Sequence, residues 1–221
     1  MKVLGFLGSP RLDGYGSKLL KKALEGAASA GAETKLFELI KYNIMDCRGC
    51  SKCFLNNPDL LIGKCSLKDD MASILEEYIK ADGYLFASPV YDVYITARLK
   101  RFLERMIALT YRDPTFATKM PASRVPANFK KKAALIVTAN CKEKYMEAMG
   151  GPCYEAMESH LMVEQVDTVD KLYVGGVETI IEEELSEKLN EAYQMGIRLV
   201  KEVEKAKKGE GVRDYTRAFL E

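Results

Sequence analysis

Long apolar runs are missing from this chain. No stretch approaches the roughly twenty apolar residues of a membrane span, and the opening Met1–Leu7 carries one lysine and is too short for a secretory leader. A surplus of charge is missing as well: 33 Lys and Arg stand against 32 Asp and Glu, a formal net charge of +1. Without a broad field of one sign, neither nucleic acid nor a membrane is expected as a partner. Histidine occurs once, at His160, with no neighbour at the spacing of a triad or metal pair, so a helix-surface or packing role is expected. No G-x-S-x-G elbow is present, which argues against a hydrolase built on one. The 221 residues suffice for one domain with a full hydrophobic core. The expected location is the cytoplasm, where six cysteines stay reduced and serve as ligands or core thiols rather than disulfides.

Two nucleotide signatures are absent too. A P-loop reads G-x-x-x-x-G-K-[ST], whereas Gly16 is followed by Ser17 and Lys18, which disfavours ATP or GTP hydrolysis. The G-x-G-x-x-G dinucleotide fingerprint is not there either. What is there is an apolar run ending at Leu7, then Gly8-Ser9-Pro10-Arg11, then Gly14, Gly16 and Ser17 ahead of an amphipathic stretch. A strand, a hinge of small and hydroxyl residues and a helix start present backbone N–H groups and a dipole to an anion. Arg11 adds charge, and Ser9 and Ser17 can donate hydroxyls. The single phosphate of a mononucleotide fits best; the plain alternative is a strand–loop–helix junction with no ligand.

Apolar runs alternate with amphipathic stretches along the chain, which argues for β-α-β units around a parallel sheet. Strands are predicted at Lys2–Leu7, Thr34–Leu39, Gly83–Ala87, Ala133–Thr138 and Lys171–Val174. Helices are predicted at Ser17–Ala30, Asp70–Lys80, Thr96–Ala108, Pro152–Glu164 and Glu182–Lys207, with Asp69 and Asp70 suited to cap the second. The fold class is therefore α/β: a flavodoxin-like, doubly wound, five-stranded parallel sheet of order 2-1-3-4-5, forming one domain over residues 1–208. That order sets the loops after strands 1, 3 and 4 along one rim at the switch point, where ligands bind. Asn43–Leu67 is a cysteine-bearing insertion after strand 2, and Tyr111–Lys131 is a long loop holding Pro114, Pro121 and Pro126. The tail, residues 209–221, carries Tyr215 and Phe219 and suits an arm packed on a neighbouring subunit.

The loop after the third strand reads Ser88-Pro89-Val90-Tyr91, followed by Asp92, Val93 and Tyr94. Proline stiffens the backbone and the tyrosines offer flat surfaces for an apolar ring system such as an isoalloxazine; the alternative is that both tyrosines simply pack. Together with Gly8-Ser9-Pro10-Arg11, Gly16-Ser17 and Ala97-x-x-Lys100-x-x-x-Glu104-Arg105, this loop resembles the NAD(P)H-dependent FMN reductases of flavodoxin-like fold. The segment Cys47-x-Gly49-Cys50-x-x-Cys53, with Cys65-x-x-x-Asp69-Asp70-Met71, narrows the likeness to the branch that includes the iron–sulfur flavoproteins. The resemblance covers about residues 1–175. It implies FMN phosphate binding by Ser9, Pro10, Arg11, Gly16 and Ser17, and ring contacts from Pro89, Val90, Tyr91, Asp92 and Tyr94. A third contact falls on Thr138, Ala139 and Asn140.

Cys47, Cys50 and Cys53 repeat a C-x-x-C spacing twice, as ferredoxin-type ligation does, and Cys65 is the candidate fourth ligand. A [4Fe–4S] cluster, free or partly oxidised thiols, and zinc are the three readings; eleven residues between Cys53 and Cys65 make a wider gap than the compact family motif. Cys141 and Cys153 are expected as small buried thiols, with Cys141 able to face the flavin.

The resemblance implies an FMN-dependent oxidoreductase with NADH or NADPH as co-substrate. Electrons would pass to a small-molecule or protein acceptor, or to the cluster, and no residue need act as nucleophile. A homodimer or homotetramer is implied as well. The alternative function is a non-enzymatic iron–sulfur flavoprotein, an electron carrier or redox sensor.

Overall fold

Alternation along β1 (Lys2–Leu7) prepares a sheet covered on both sides: Leu4 and Phe6 enter one buried cluster, Val3 and Leu7 the other. The computed structural model describes residues 1–55, 57–112, 121–125 and 127–212. After β1 come α1 (Tyr15–Ser29), β2 (Glu33–Glu38), α2 (Lys52–Leu55), α3 (Met71–Lys80), β3 (Gly83–Pro89) and α4 (Ala97–Arg105). Then follow β4 (Thr110–Tyr111), β5 (Ala122–Ser123), β6 (Lys131–Thr138), α5 (Met146–Met149), α6 (Gly151–Val163), β7 (Val166–Val174) and α7 (Glu182–Lys207).

Five strands pair in the order β2-β1-β3-β6-β7, every neighbour parallel. Counting the strands of this sheet alone, that is the predicted 2-1-3-4-5. β4 and β5 pair antiparallel apart from it, within the stretch predicted as a long loop. Pro114, Pro126, Tyr215 and Phe219 lie outside the described residues.

Helices α1 and α7 cover the face that carries Val3, Leu7, Leu85, Ala87, Ala134 and Ile136. Helices α3, α4 and α6 cover the face of Leu4, Phe6, Tyr84, Phe86, Leu135 and Val137. The Phe6 ring lies 5.2 Å from Phe37, 5.1 Å from Phe86 and 4.9 Å from Phe102, all stacked. Burying one such ring contributes about 1.5–3 kcal/mol. On the opposite face α1 and α7 meet backbone to backbone. A Cβ on Gly26 would stand 1.9 Å from Tyr193 O, and one on Gly196 would stand 1.9 Å from Ala23 O, so this close crossing requires glycine at both places.

Several boundaries move from their predicted positions, β3 running on to Pro89 and β6 starting at Lys131 among them, and three of the shifts carry a physical reason. α1 begins at Tyr15, which places Gly16 and Ser17 within the first helical turn. α4 stops at Arg105 and tightens into a 3-10 turn over Met106–Leu109. β7 starts five residues early, because polar Asp167, Thr168 and Asp170 sit on an edge strand that continues to pair with β6 across a bulge at Ala133/Ala134. The buried Asp167 carboxylate there accepts from Lys132 Nζ at 3.1 Å. The capping expectation for Asp70 is corrected: its side chain makes no cap bond and instead accepts from Asn43 N–H at 2.7 Å. Asp69 accepts from Met71 N–H at 3.2 Å.

Candidate functional site

The carboxyl ends of β1, β3 and β6 bring the three predicted loops to one rim. Gly8 N–H donates to Ala87 O and Val90 N–H to Thr138 O, both at 2.8 Å. Thr96, which caps α4 by accepting from Leu99 N–H at 3.2 Å, also donates its hydroxyl to Gly8 O at 2.8 Å. A Cβ on Gly8 would sit 2.8 Å from Leu99 Cβ, so glycine admits the start of α4 to the first loop. A Cβ on Gly16 would lie 3.6 Å from Thr138 Oγ1, which puts the first and third loops side by side.

Within the first loop, Ser9 is buried and its hydroxyl shapes the hinge, accepting from Arg11 N–H at 3.1 Å. Pro10 and Arg11 are exposed. α1 starts from Gly14 with no side-chain cap and no acidic residue in its first turn. Ser17 and Lys18 N–H both donate to Gly14 O, at 3.0 and 3.1 Å, which leaves the Tyr15 and Gly16 N–H groups as the helix's orphan donors, with no acidic side chain in that turn to compete for them. Ser17 is 1% exposed, and its Oγ is buried with no hydrogen-bond partner. An orphaned hydroxyl in a helix's first turn, beside two glycines, has the chemistry of an anion-binding cradle.

In the second loop, Ser88 Oγ donates to Pro89 O at 2.9 Å and accepts from Thr96 N–H at 3.1 Å. Tyr91 N–H donates to Tyr94 O at 2.9 Å and Tyr94 N–H returns to Tyr91 O at 3.1 Å. These bonds close a two-residue turn with Asp92 at φ 50° and Val93 at φ 60°, a region costly for a β-branched residue. The turn holds Tyr91, Val93 and Tyr94 at 44%, 46% and 40% exposure, an apolar tip beside the rim. Tyr94 also borders a groove of about 500 Å³ between α4 and α6. In the third loop Thr138 and Ala139 are buried, Ala139 N–H donating to Val174 O at 3.0 Å, and Asn140 faces solvent.

Ser9, Gly16, Ser17, Pro89, Val90, Tyr91, Thr138 and Ala139 thus share the rim, with Pro10, Arg11, Asp92, Tyr94 and Asn140 around it. Sequence reasoning missed Ser88 and Thr96, which lock the loops together. Thr96, just ahead of an apolar-periodic helix, carried the signal of a cap.

Cys47, Cys50, Cys53 and Cys65 line a single cavity of about 50 Å³ with Phe54, Ile107 and Arg105. Cys53, on α2, is buried and the other three are exposed. Among the described residues, no three His, Cys, Asp or Glu side chains are gathered closely enough to hold a metal ion. Burial, together with Cys65, Cys47 and Cys50 nearby, pushes the Cys53 thiol up. The Lys52 backbone and the Ser66 hydroxyl, 3.6 Å away, bring Cys50 down. As chemistry the donor set fits a thiolate-bound centre: four soft sulfurs, no carboxylate among the lining residues, and two guanidiniums, of Arg48 and Arg105, to offset negative charge.

Two buried arginines hold this segment: Arg105, legible in the sequence only as part of the family motif, and Arg124, which sequence reasoning did not single out. Arg105, at the end of α4, makes a bidentate pair with Asp69 at 2.5 and 3.0 Å, donates to Met45 O at 2.8 Å and lies 3.7 Å from Cys65 Sγ. Arg124 donates to Asn57 O, Leu60 O, Cys53 O and Thr110 O at 2.7–3.0 Å. Cys153 is buried, its thiol pushed up to about 11 by desolvation, while Cys141 is half-buried. His160 is 3.0 Å from Glu164 Oε1 on α6 and its flank, a packing role. No helix of the described residues is long and apolar enough to cross a membrane.

Comparison with known proteins agrees with this geometry. The NADPH-dependent FMN reductase family model matches residues 1–149. An iron-sulfur flavoprotein of Archaeoglobus fulgidus is 36% identical over 125 residues, 57% of this chain and 54% of that protein. One from Methanocaldococcus jannaschii is 37% identical over 105 residues, 48% of this chain and 51% of that one. The chain therefore spans about half the length of the curated relatives it matches. An NAD(P)H:quinone oxidoreductase from Methanothermobacter marburgensis superposes with a TM-score of 0.67 over 90% of this chain and 98% of that chain at 17% identity, a likeness of fold alone. A family match over two thirds of the sequence decides the relationship: the chain belongs to the NADPH-dependent FMN reductase family.

Proposed function

We propose that the chain is an FMN-dependent NAD(P)H oxidoreductase whose flavin lies along the rim. The observation that carries this reading is the buried, unpartnered Ser17 Oγ in the uncapped first turn of α1. Ser17 and the first-turn N–H groups would take the FMN phosphate, with Gly16 allowing close approach, Ser9 and Pro10 fixing the hinge and Arg11 supplying charge. Pro89, Val90, Tyr91, Asp92 and Tyr94 would border the ring, with Thr138, Ala139 and Asn140 on its other side. FMN, when bound, would supply the hydride and electron-transfer chemistry, with NADH or NADPH as the donor and a small molecule or protein as the acceptor. The protein's part is placement: the strained turn at Asp92 and Val93 holds both tyrosines outward, where the ring or a neighbouring subunit would cover them. A homodimer or homotetramer, a cytoplasmic location and a single FMN-binding unit over residues 1–208 complete the reading.

Cys47, Cys50, Cys53 and Cys65 would hold a [4Fe–4S] cluster, which supplies single-electron transfer; the shared cavity and the names of the iron-sulfur relatives support this. They support equally the second reading, an electron carrier or redox sensor that does not turn over nicotinamide.

The test is direct. Anaerobically purified protein should carry about one FMN per chain and oxidise NADH or NADPH steadily with a quinone present. Protein that takes up no FMN refutes the proposal. Slow reduction by nicotinamide with fast reduction by a protein donor selects the carrier.

A further inference from the structure

We propose that Arg105 is the positioning residue of the cysteine cavity, fixing Cys65 at the wall it shares with the other three cysteines and hydrogen-bonding its sulfur in the loaded state. This rests on the reading of the cavity as a cluster site. Cys65 is the ligand hardest to place, since eleven residues separate it from Cys53 and a loop that long does not close by itself. One guanidinium gathers the needed pieces. It reaches Met45 O ahead of the first cysteine, both oxygens of Asp69 at the start of α3, and Cys65 Sγ at 3.7 Å. Asp69 in turn accepts from Met45 N–H at 2.8 Å, so both flanks of the cysteine segment are tied to the same pair.

Stability alone does not account for this arrangement. Arg105 and Asp69 have side chains 3% and 1% exposed, and a buried ion pair of that kind is often no better than apolar residues of the same volume. What the pair gives that leucine and methionine cannot is a directed donor beside a sulfur, and such a bond strengthens as the sulfur gains negative charge. One turn earlier on α4, Arg101 binds Asp46 at 2.5 Å, next to Cys47. That pair is exposed, touches no sulfur and serves as the control.

The experiment uses FMN-loaded protein, reconstituted anaerobically with ferrous iron and sulfide, as wild type, Arg105→Lys, Arg105→Gln and Arg101→Gln. Iron and acid-labile sulfide per chain are counted, iron loss to a ferrous chelator is timed, and the cluster's midpoint potential is measured. Both Arg105 variants should lose iron about 10–100-fold faster than wild type and shift the potential to more negative values. Lysine should not rescue, since one ammonium cannot span a carboxylate, a carbonyl and a sulfur in Arg105's fork geometry. FMN content should be unchanged throughout, and Arg101→Gln should behave as wild type. Arg105→Lys is the more conservative variant and gives the answer if Arg105→Gln fails to fold. Wild-type loss rates in Arg105→Lys, or faster loss with an unmoved potential, overturn the proposal. FMN-loaded wild type that takes up no iron overturns the cluster reading itself, and this inference with it.

Discussion

Replacing Ser17 with alanine should move the ligand-free and the FMN-bound protein in opposite directions. Ser17 is 1% exposed and its Oγ has no partner, so the free protein buries a hydroxyl for nothing. An unsatisfied buried polar group costs about 1–3 kcal/mol, and alanine is also the better helix former in a turn where Ser17 is already helical. FMN-stripped Ser17→Ala should therefore be more stable than wild type by about 1 kcal/mol, read as a higher urea midpoint at unchanged slope. Binding should go the other way. Loss of a hydrogen bond to a charged phosphate removes about 1.5–3 kcal/mol, a rise in Kd of roughly tenfold or more, measured by titrating FMN fluorescence. Linkage ties the two results together. With FMN at about 100 times the wild-type Kd, binding adds about 2.7 kcal/mol to wild type; a tenfold weaker variant gains about 1.4 kcal/mol. The increment that FMN gives to the urea midpoint should thus fall by about half. If Ser17→Ala destabilises the stripped protein and binds FMN as wild type does, the hydroxyl serves the fold and the phosphate lies elsewhere.

Gly196→Ala would drive a Cβ to within 1.9 Å of Ala23 O, so α1 and α7 must separate; a loss of about 1–3 kcal/mol is expected in urea unfolding, and an unchanged midpoint would contradict the crossing. Burial opposes ionisation of Asp69, but the Arg105 guanidinium and the Met45 and Met71 N–H groups outweigh it and hold its carboxyl below the usual range. A depressed pKa means that the stabilisation is complete above the unfolded value of about 4 and fades as pH falls through the folded value. Asp69→Asn should therefore cost about 3–5 kcal/mol at pH 7, where it leaves Arg105 buried without its counterion. The gap from wild type should narrow below about pH 4, and a gap that stays constant down to pH 2 would remove Asp69 from the acid transition. Val93→Asn, at φ 60° and 46% exposed, should raise stability by up to about 1 kcal/mol because asparagine tolerates that conformation; thermal unfolding that shows a loss would mean the turn is not strained.

Much of the fold was readable because buried parallel strands announce themselves. β1, β3 and β6 are apolar almost throughout, and the glycine, serine and proline at the ends of β1 and β3 marked the rim, whereas Thr138-Ala139-Asn140 after β6 carries no such signal. β7 was half legible: its carboxyl end is apolar, but Val166–Asp170 reads as loop, since an edge strand keeps polar residues that an inner strand cannot. The start of α1 was misplaced because Tyr15 and Gly16 are weak helix formers, and that shift of two residues moves Ser17 from the first helical position to the third, still within the first turn.

The determinants that stayed hidden are contacts between residues far apart in the chain. Thr96 meets Gly8 across 88 positions, Arg124 meets Cys53 across 71 and Arg105 meets Cys65 across 40, and no periodicity encodes such pairs. α4 shows what they accomplish together. Its first residues are held to the loop after β1 by Thr96 and by the absence of a Cβ on Gly8, and its last residue is Arg105 beside the cysteine cavity. Nine residues of helix span about 14 Å, short enough for one rigid element to fix both places. The proposed flavin rim and cluster cavity are therefore not a binding fold with a cysteine loop appended. Each is finished by an opposite end of the same helix, so the seating of α4 on the sheet, through Leu99, Phe102 and Leu103, sets the geometry of both.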